Sequence, residues 1–89
     1  MEARKMRLLR IKHGITRQEL GDACGLSGQR ISELEFSLGQ LRPETEAKLQ
    51  QGFAFVVQKR RIQLMALERD YWRYRETLLA PVEDTSNEL

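Results

Sequence analysis

Apolar residues recur every three or four positions along most of this chain and almost nowhere alternate singly with polar ones. This spacing predicts amphipathic helices, whose buried stripe repeats at about 3.6 residues. Neither an alternating apolar run nor an Asn-Gly or Asp-Gly hairpin turn is present, so strands are not predicted. The pattern therefore predicts an all-α protein. In its first helix, over residues 2–13, the predicted buried stripe contains Met6, Leu9 and His13, widened by Leu8 and Ile11.

Capping residues mark the ends of two further short helices. Gly14 ends the first helix, and Thr16 with Glu19 has the pattern of a capping box at the start of the next. Gly25 ends that second helix at a turn that favours positive φ, and Ser27 can cap a third. Two helices joined by a turn form a helix-turn-helix arrangement. We expect its core to contain Leu20, Leu26, Ile31 and Leu34, with Cys24 on the apolar side of the second helix.

A long fourth helix is predicted over residues 44–80. Pro43 followed by Glu44 is a strong helix start, no proline follows until Pro81, and Gly52 is the one weak point within the segment. The apolar stripe misses a position only at Arg60. Its members are Leu49, Phe53, Val56, Leu64, Leu67, Tyr71, Tyr74 and Leu78.

The predicted fourth helix spans about 55 Å, which is longer than the three preceding helices can cover. One interpretation is that it breaks near Gly52 or Lys59 and folds back on its own domain. The other, which we favour, is that it pairs with a second copy of the chain in a dimer. The predicted dimer interface consists of Leu64, Leu67, Tyr71, Tyr74 and Leu78.

The segment from Ile15 to Glu35 resembles the Cro/lambda-repressor-like helix-turn-helix regulators, also called the XRE family. Their pattern runs Leu-Thr-Gln-x-Glu-Leu-Ala, three residues, Gly-Val-Ser, then Ile-Ser-x-x-Glu. The residues in register are Thr16, Glu19, Leu20, Gly25, Leu26, Ser27, Ile31, Ser32 and Glu35. With the flanking helices, the resemblance covers about residues 4–57. It implies a lambda-repressor-like fold and a transcription regulator that binds specific double-stranded DNA sequences.

Two departures from that pattern matter, one at Arg17 and one in the turn after the third helix, while Gly21 keeps a small residue where the family has alanine. Arg17 stands where the family has a glutamine that contacts phosphate, with Gln18 beside it, and an arginine can also reach a phosphate. Gly21 replaces a small alanine where two helices are expected to cross closely. The Glu-x-Gly turn after the third helix is absent, since glycine comes only at Gly39, so the loop before Pro43 is about two residues longer than is usual in the family.

The third helix should turn Ile31 and Leu34 inward, which leaves the opposite side free. The resemblance implies that this side enters the DNA major groove. The predicted base-edge residues are Gly28, Gln29, Arg30, Ser32 and Glu33. The predicted phosphate contacts, at or near helix ends, are Thr16, Arg17, Gln18, Ser27 and Arg42. An alternative is that Arg30 and Glu33, three residues apart, form a surface ion pair unrelated to DNA.

Charge and composition agree with this reading but are less specific. The net charge of the 89 residues is +2, and the bases are in excess before Pro43, which suits an anionic partner. One cysteine and one histidine provide neither a disulfide framework nor a metal site. Cys24 is expected to fill the core, the alternative being a redox sensor. The bases at positions 59–61 are expected either to form a solvated helix turn or to add a phosphate contact.

We therefore expect a cytoplasmic, non-enzymatic protein without cofactor, small-molecule substrate or membrane span. Residues 1–57 should form the helix-turn-helix domain, 58–80 a helical extension for dimerisation, and 81–89 an acidic flexible tail. The leading hypothesis is a homodimeric, sequence-specific DNA-binding regulator. The alternative is an antitoxin-like or accessory interaction module whose C-terminal aromatic helix binds a different protein.

Overall fold

A computed structural model describes residues 2–37 and 39–82, and every regular element within these residues is an α-helix. The predicted fold class, all-α, is confirmed. The predicted acidic tail lies almost wholly outside the described residues. The four helices are α1 (Lys5–Lys12), α2 (Arg17–Cys24), α3 (Gly28–Phe36) and α4 (Pro43–Tyr74).

The predicted caps of the three short helices are confirmed by their hydrogen bonds and backbone angles. The Thr16 hydroxyl accepts from the Glu19 amide at 2.9 Å, and the Ser27 hydroxyl accepts from the Arg30 amide at 3.0 Å. Gly14 and Gly25 have φ of 64° and 74°, the left-handed conformation that glycine adopts without a Cβ penalty. Only half of the predicted capping box forms, because the Glu19 carboxylate accepts from a side chain of α4 instead.

The core lies around α2, which packs against both α3 and α4, while α1 packs against α3. The predicted core residues of α2 and α3 are confirmed, and Leu26 packs half-buried beside them. The buried apolar side chains are Ile15, Leu20, Cys24, Ile31, Leu34, Leu49 and Val56.

Two glycines allow close approach of backbone to backbone. A Cβ at Gly21 would lie 2.5 Å from the Leu26 carbonyl oxygen, which explains why no larger residue fits there. A Cβ at Gly52 would overlap the Sγ of Cys24. Gly52 is therefore the point where α4 crosses α2, and the sequence-based view of it as a mere weak point in the helix is wrong.

The predicted buried stripe of α1 is confirmed only at Met6, which packs half-buried against the core. Leu8, Leu9 and Ile11 are exposed, and the α1 side chain that enters the interior is Arg10. Its Nε donates to the Glu35 carboxylate at the end of α3, over 2.6 Å. Pairing with a buried carboxylate compensates the loss of hydration of the guanidinium, so a charged residue replaces the expected apolar one.

Helix α4 is continuous through Gly52 and Lys59, so it does not break and fold back at either residue. It ends at Tyr74 rather than at residue 80, and turns follow, with the Thr77 amide donating to the Tyr74 carbonyl at 3.0 Å. The radius of gyration is 18.5 Å, against about 12 Å for a compact chain of this length. The C-terminal half of α4 therefore extends beyond the packed helices.

Candidate nucleic-acid interface

The outward side of α3 carries the residues that sequence reasoning assigned to base edges. Ile31 and Leu34 are buried, and Gln29, Arg30 and Glu33 are exposed on the other side. The two remaining members of the predicted set, Gly28 and Ser32, are half-buried. Three of the predicted residues thus form an accessible polar surface on one helix face.

Two members of this surface form an ion pair. The Arg30 Nη1 lies 3.4 Å from the Glu33 Oε1, and both side chains are about half exposed. This is the surface pair that the alternative interpretation anticipated. A pair this exposed contributes about 0–1 kcal/mol, because water screens it. Because the pair is this weak, the Arg30 guanidinium can leave Glu33 and bind a different anion.

The predicted phosphate contacts are all exposed, and part of the set converges. A Cβ placed on Gly28 would lie 3.6 Å from the Cβ of Arg17, so the first turns of α2 and α3 are neighbours. Thr16 and Ser27, which cap these two helices, retain hydroxyl protons that can be donated. The adjacent N-termini each carry the positive end of a helix dipole, which favours an anion nearby.

Two of the predicted phosphate contacts have other surroundings. The Gln18 side-chain amide donates to the Asp22 carboxylate at 2.7 Å, which orients it along α2. Arg42 precedes α4, and no hydrogen bond of its side chain is observed within the described residues. The structure therefore places Arg17, which follows the cap residue Thr16, beside Gly28, which follows the cap residue Ser27.

A buried ion-pair cluster beneath this surface was missed by sequence reasoning. Glu35 is completely buried and pairs with Arg10, whose Nη1 also donates to the Ile15 carbonyl at 3.0 Å. Arg7 reaches the same carboxylate at 3.3 Å and Arg17 at 3.9 Å. The signal in the sequence was the position of Arg10, one helical turn after the inward-facing Met6.

The cluster connects three helices to one carboxylate. Arg7 and Arg10 belong to α1, Arg17 begins α2, and Glu35 lies in the last turn of α3. Arg7 also stacks over the Phe36 ring, with 5.0 Å from its guanidinium carbon to the ring centre. Arg7 and Arg10 therefore direct their charge toward the buried Glu35. Fewer bases before Pro43 remain free at the surface than their number in the sequence suggests.

Cys24 is placed as predicted, in the core. Its side chain faces Gly52 of α4, and burial raises the pKa of the thiol above its ordinary value. A thiol with a raised pKa holds less of the reactive thiolate at neutral pH. The environment therefore fits the core-filling interpretation.

The predicted dimer residues are all exposed. Leu64, Leu67, Tyr71 and Tyr74 lie on α4 beyond the packed domain, whereas Leu78 lies after its end. A second apolar side of the same segment contains Ile62, Met65 and Trp72. A separate groove between α1 and α4 has a volume of about 290 Å³. It is lined by Leu9, His13, Ile15, Phe53, Val56, Val57 and Arg60.

Comparison of the chain with protein-family models, with curated proteins and with solved structures finds no match. In residues 2–37 and 39–82, no helix combines the length and the apolar character needed to cross a membrane.

Proposed function

We propose that this protein is a cytoplasmic, sequence-specific DNA-binding regulator of the Cro/lambda-repressor-like helix-turn-helix type. In this proposal α2 and α3 form the helix-turn-helix unit, and α3 enters the major groove. The protein acts as a homodimer, without cofactor or catalytic activity.

One observation carries the proposal, namely the placement of side chains around α3. Gln29, Arg30 and Glu33 are exposed on its outer side, directly beside the adjoining N-termini of α2 and α3. Amide, guanidinium and carboxylate groups are those that read base edges, in pairings such as glutamine with adenine and arginine with guanine. Helix N-termini and their capping hydroxyls are suited to the phosphates that flank such bases.

The buried cluster supports the same function by positioning. Glu35 ties the C-terminal turn of α3 to α1, and the 3.9 Å contact with Arg17 places the start of α2 beside it. A reading helix must hold a fixed orientation, since base contacts depend on hydrogen-bond geometry. The buried cluster supports that orientation of α3 from beneath the exposed surface.

A dimer would give this small surface useful specificity. One helix reads only a few base pairs, and two copies related by a two-fold axis read a site with matching symmetry. The exposed apolar stripe of α4 supports association, because nothing within residues 2–37 and 39–82 covers it.

Selection of bound sites from random double-stranded DNA tests the proposal directly. The expected result is an enriched, inverted-repeat motif that the wild-type protein protects. Recovery of unenriched DNA, at salt concentrations where the protein is folded, would contradict sequence-specific binding.

Two variants separate affinity from specificity in that assay. Arg17→Ala should weaken binding to all sequences and lower the salt dependence by about one phosphate contact. Gln29→Ala should reduce binding by about 1–3 kcal/mol at one base pair and relax the preference there. Gln50→Ala, an exposed glutamine on α4, is the matched control and should leave the motif unchanged. An unchanged motif for Gln29→Ala would mean that α3 does not read the bases.

The exposed aromatic residues of α4 favour a second candidate function. Tyr71 and Trp72 contact each other edge to face at 5.8 Å between ring centres, and both are exposed. Such aromatic residues often anchor protein partners. In this alternative the protein is an antitoxin-like or accessory module whose α4 binds a different protein. A purified chain that remains monomeric and selects no DNA would favour it.

A further inference from the structure

The apolar stripe of α4 repeats itself after 18 residues. Leu49, Phe53 and Val56, which face the core or the groove, are followed at that interval by Leu67, Tyr71 and Tyr74. Eighteen residues are five turns at about 3.6 residues per turn, so the two sets lie on the same side of the helix. The apolar side that faces the core and the groove in the first half of α4 therefore continues along the second half, where it is exposed outside the domain.

The α1–α4 groove opens on this same side of α4, next to the projecting stripe. Val57 lines the groove, Leu64 follows seven residues later, and Tyr71 follows after seven more. Seven residues are about two helical turns, so the three form one line along α4. Leu64 is its midpoint, about 10 Å from each of the other two. All three side chains are at least half exposed.

We propose that two copies of the chain pair through antiparallel α4 helices about a two-fold axis at Leu64. This arrangement places Tyr71 of each copy against Val57 and the α1–α4 groove of the other. The projecting stripe of each copy then covers the groove of the other copy, so the same contact forms twice, as a two-fold interface requires. This inference rests on the dimer in the proposed function, and specifies its direction and register.

The charges beside the stripe support this direction. On one flank of α4, Arg61 lies three residues before Leu64 and Glu68 four residues after it. On the other flank, Lys59 lies five residues before Leu64 and Asp70 lies six residues after it. Rotation about the two-fold axis brings each base opposite an acid of the second copy. Within residues 2–37 and 39–82 no ion pair involves these four side chains, so they are available for this pairing.

A parallel arrangement of the two α4 helices would instead place like charges beside each other. It would place the basic positions 59–61 of one copy beside the same positions of the other, and positions 68–70, which hold both acids, beside each other. Like charges brought together across an interface disfavour association.

Single cysteines added to α4, followed by mild oxidation, test the register of the two helices. Leu64→Cys should form a disulfide-linked dimer, and a mixture of Val57→Cys with Tyr71→Cys should form the mixed dimer. Tyr71→Cys alone should remain unlinked, because its two copies would be about 21 Å apart along the helices. The wild-type protein, with Cys24 buried, is the unlinked control. Linkage of Tyr71→Cys to itself, or absence of linkage in all samples, would overturn the proposal.

Charge reversal provides a second measurement that does not alter the stripe. Lys59→Glu with Arg61→Glu should weaken dimerisation at least tenfold, and adding Glu68→Lys with Asp70→Lys should restore it. Lys5→Glu with Lys48→Glu changes the net charge equally on exposed residues elsewhere and should leave dimerisation unchanged. Equal weakening by the control pair, or lack of restoration, would overturn the pairing.

The outcome is separable from that of the proposed function. A protein that selects a DNA motif but links through Tyr71→Cys alone overturns the antiparallel register and retains DNA binding. A protein that gives the expected links but selects no DNA supports the register and contradicts the proposed regulator.

Discussion

Glu35 has no solvent exposure, and its carboxylate depends on Arg10, which is nearly as buried. Taking such charges out of water is unfavourable, and their mutual attraction and hydrogen bonds offset that cost only while both partners are present. The short Arg10–Glu35 contact and the bond from Arg10 to the Ile15 carbonyl satisfy both groups. Among the described residues, no buried side-chain nitrogen or oxygen lacks a partner.

Removing one partner of this pair should be far more harmful than removing an exposed one. Arg10→Met leaves Glu35 with only the partly exposed Arg7 and the more distant Arg17, so we expect a loss of about 3 kcal/mol in the free energy of unfolding. Urea denaturation measures it. Arg30→Met breaks an exposed pair and should change stability by about 1 kcal/mol or less. Equal losses for the two variants would contradict this account.

The raised pKa of Cys24 predicts a pH dependence. Burial raises the thiol pKa above its ordinary value of 9.0, so the folded thiol keeps its proton when the unfolded thiol loses it. The stability contributed by the protonated thiol is complete below about pH 9 and is lost as the pH rises from there through the folded pKa. Urea denaturation at about pH 8 and about pH 10 should show a smaller decline for Cys24→Ala than for the wild type. Parallel declines would contradict the prediction.

At the scale of the helices, Gly52 decides how closely α4 approaches α2. In an ordinary helix, replacing glycine by alanine stabilises by about 1 kcal/mol. Here the added Cβ would overlap the Cys24 Sγ, so Gly52→Ala should instead destabilise by about 1–3 kcal/mol. Adding Cys24→Ala should recover part of this loss in thermal or urea unfolding. Gln51→Ala, on the exposed side of α4, is the control, and a stabilising Gly52→Ala would show that the helices can separate at little cost.

The helix ends could be predicted from the sequence because their causes are local. A hydroxyl at Thr16 or Ser27 and a positive φ at Gly25 act within a few residues, so neighbouring positions reveal them. The outward position of Gln29 was predictable for a similar reason, since Ile31 and Leu34 fix the buried side of a short helix.

The burial of Arg10 could not be predicted in this way. Its partner is 25 residues distant, and a charged residue is ordinarily assigned to the surface until a buried counter-charge is known. The role of Gly52 also depends on a distant residue, Cys24. The helix end at Tyr74, six residues before the expected residue 80, is not explained by packing, because the residues just before it and just after it are all exposed.

At the scale of the whole molecule, the projecting half of α4 predicts self-association. Leu67 and Tyr71 are exposed in the single chain, so Leu67→Glu with Tyr71→Glu should leave the fold intact. The same change would place charges in a dimer interface that excludes water, so the double variant should be monomeric. Weak DNA binding should remain, because one half-site supplies only part of the contacts.

Sedimentation together with circular dichroism checks this prediction. The wild type should sediment as a dimer and the double variant as a monomer of the same helical content per residue. Gln51→Glu with Gln58→Glu adds the same charge at exposed polar positions on the side of α4 away from the stripe and is the control. A folded wild-type monomer at high micromolar concentration would contradict the dimer, and an unfolded double variant would show that these residues stabilise their own chain.

The continuity of α4 restricts which insertions and deletions the chain can tolerate. The helix packs in the core at Val56 and projects at Leu67 without an intervening loop, so any added residue between them rotates the projecting stripe by about 100°. One added residue would turn the stripe away from the groove side, whereas seven would return it nearly to its starting direction. Length variants of this protein should therefore differ in this segment by about two whole turns. In the pairing proposed above, the segment is a spacer that keeps the stripe on the groove side only at lengths about two turns apart.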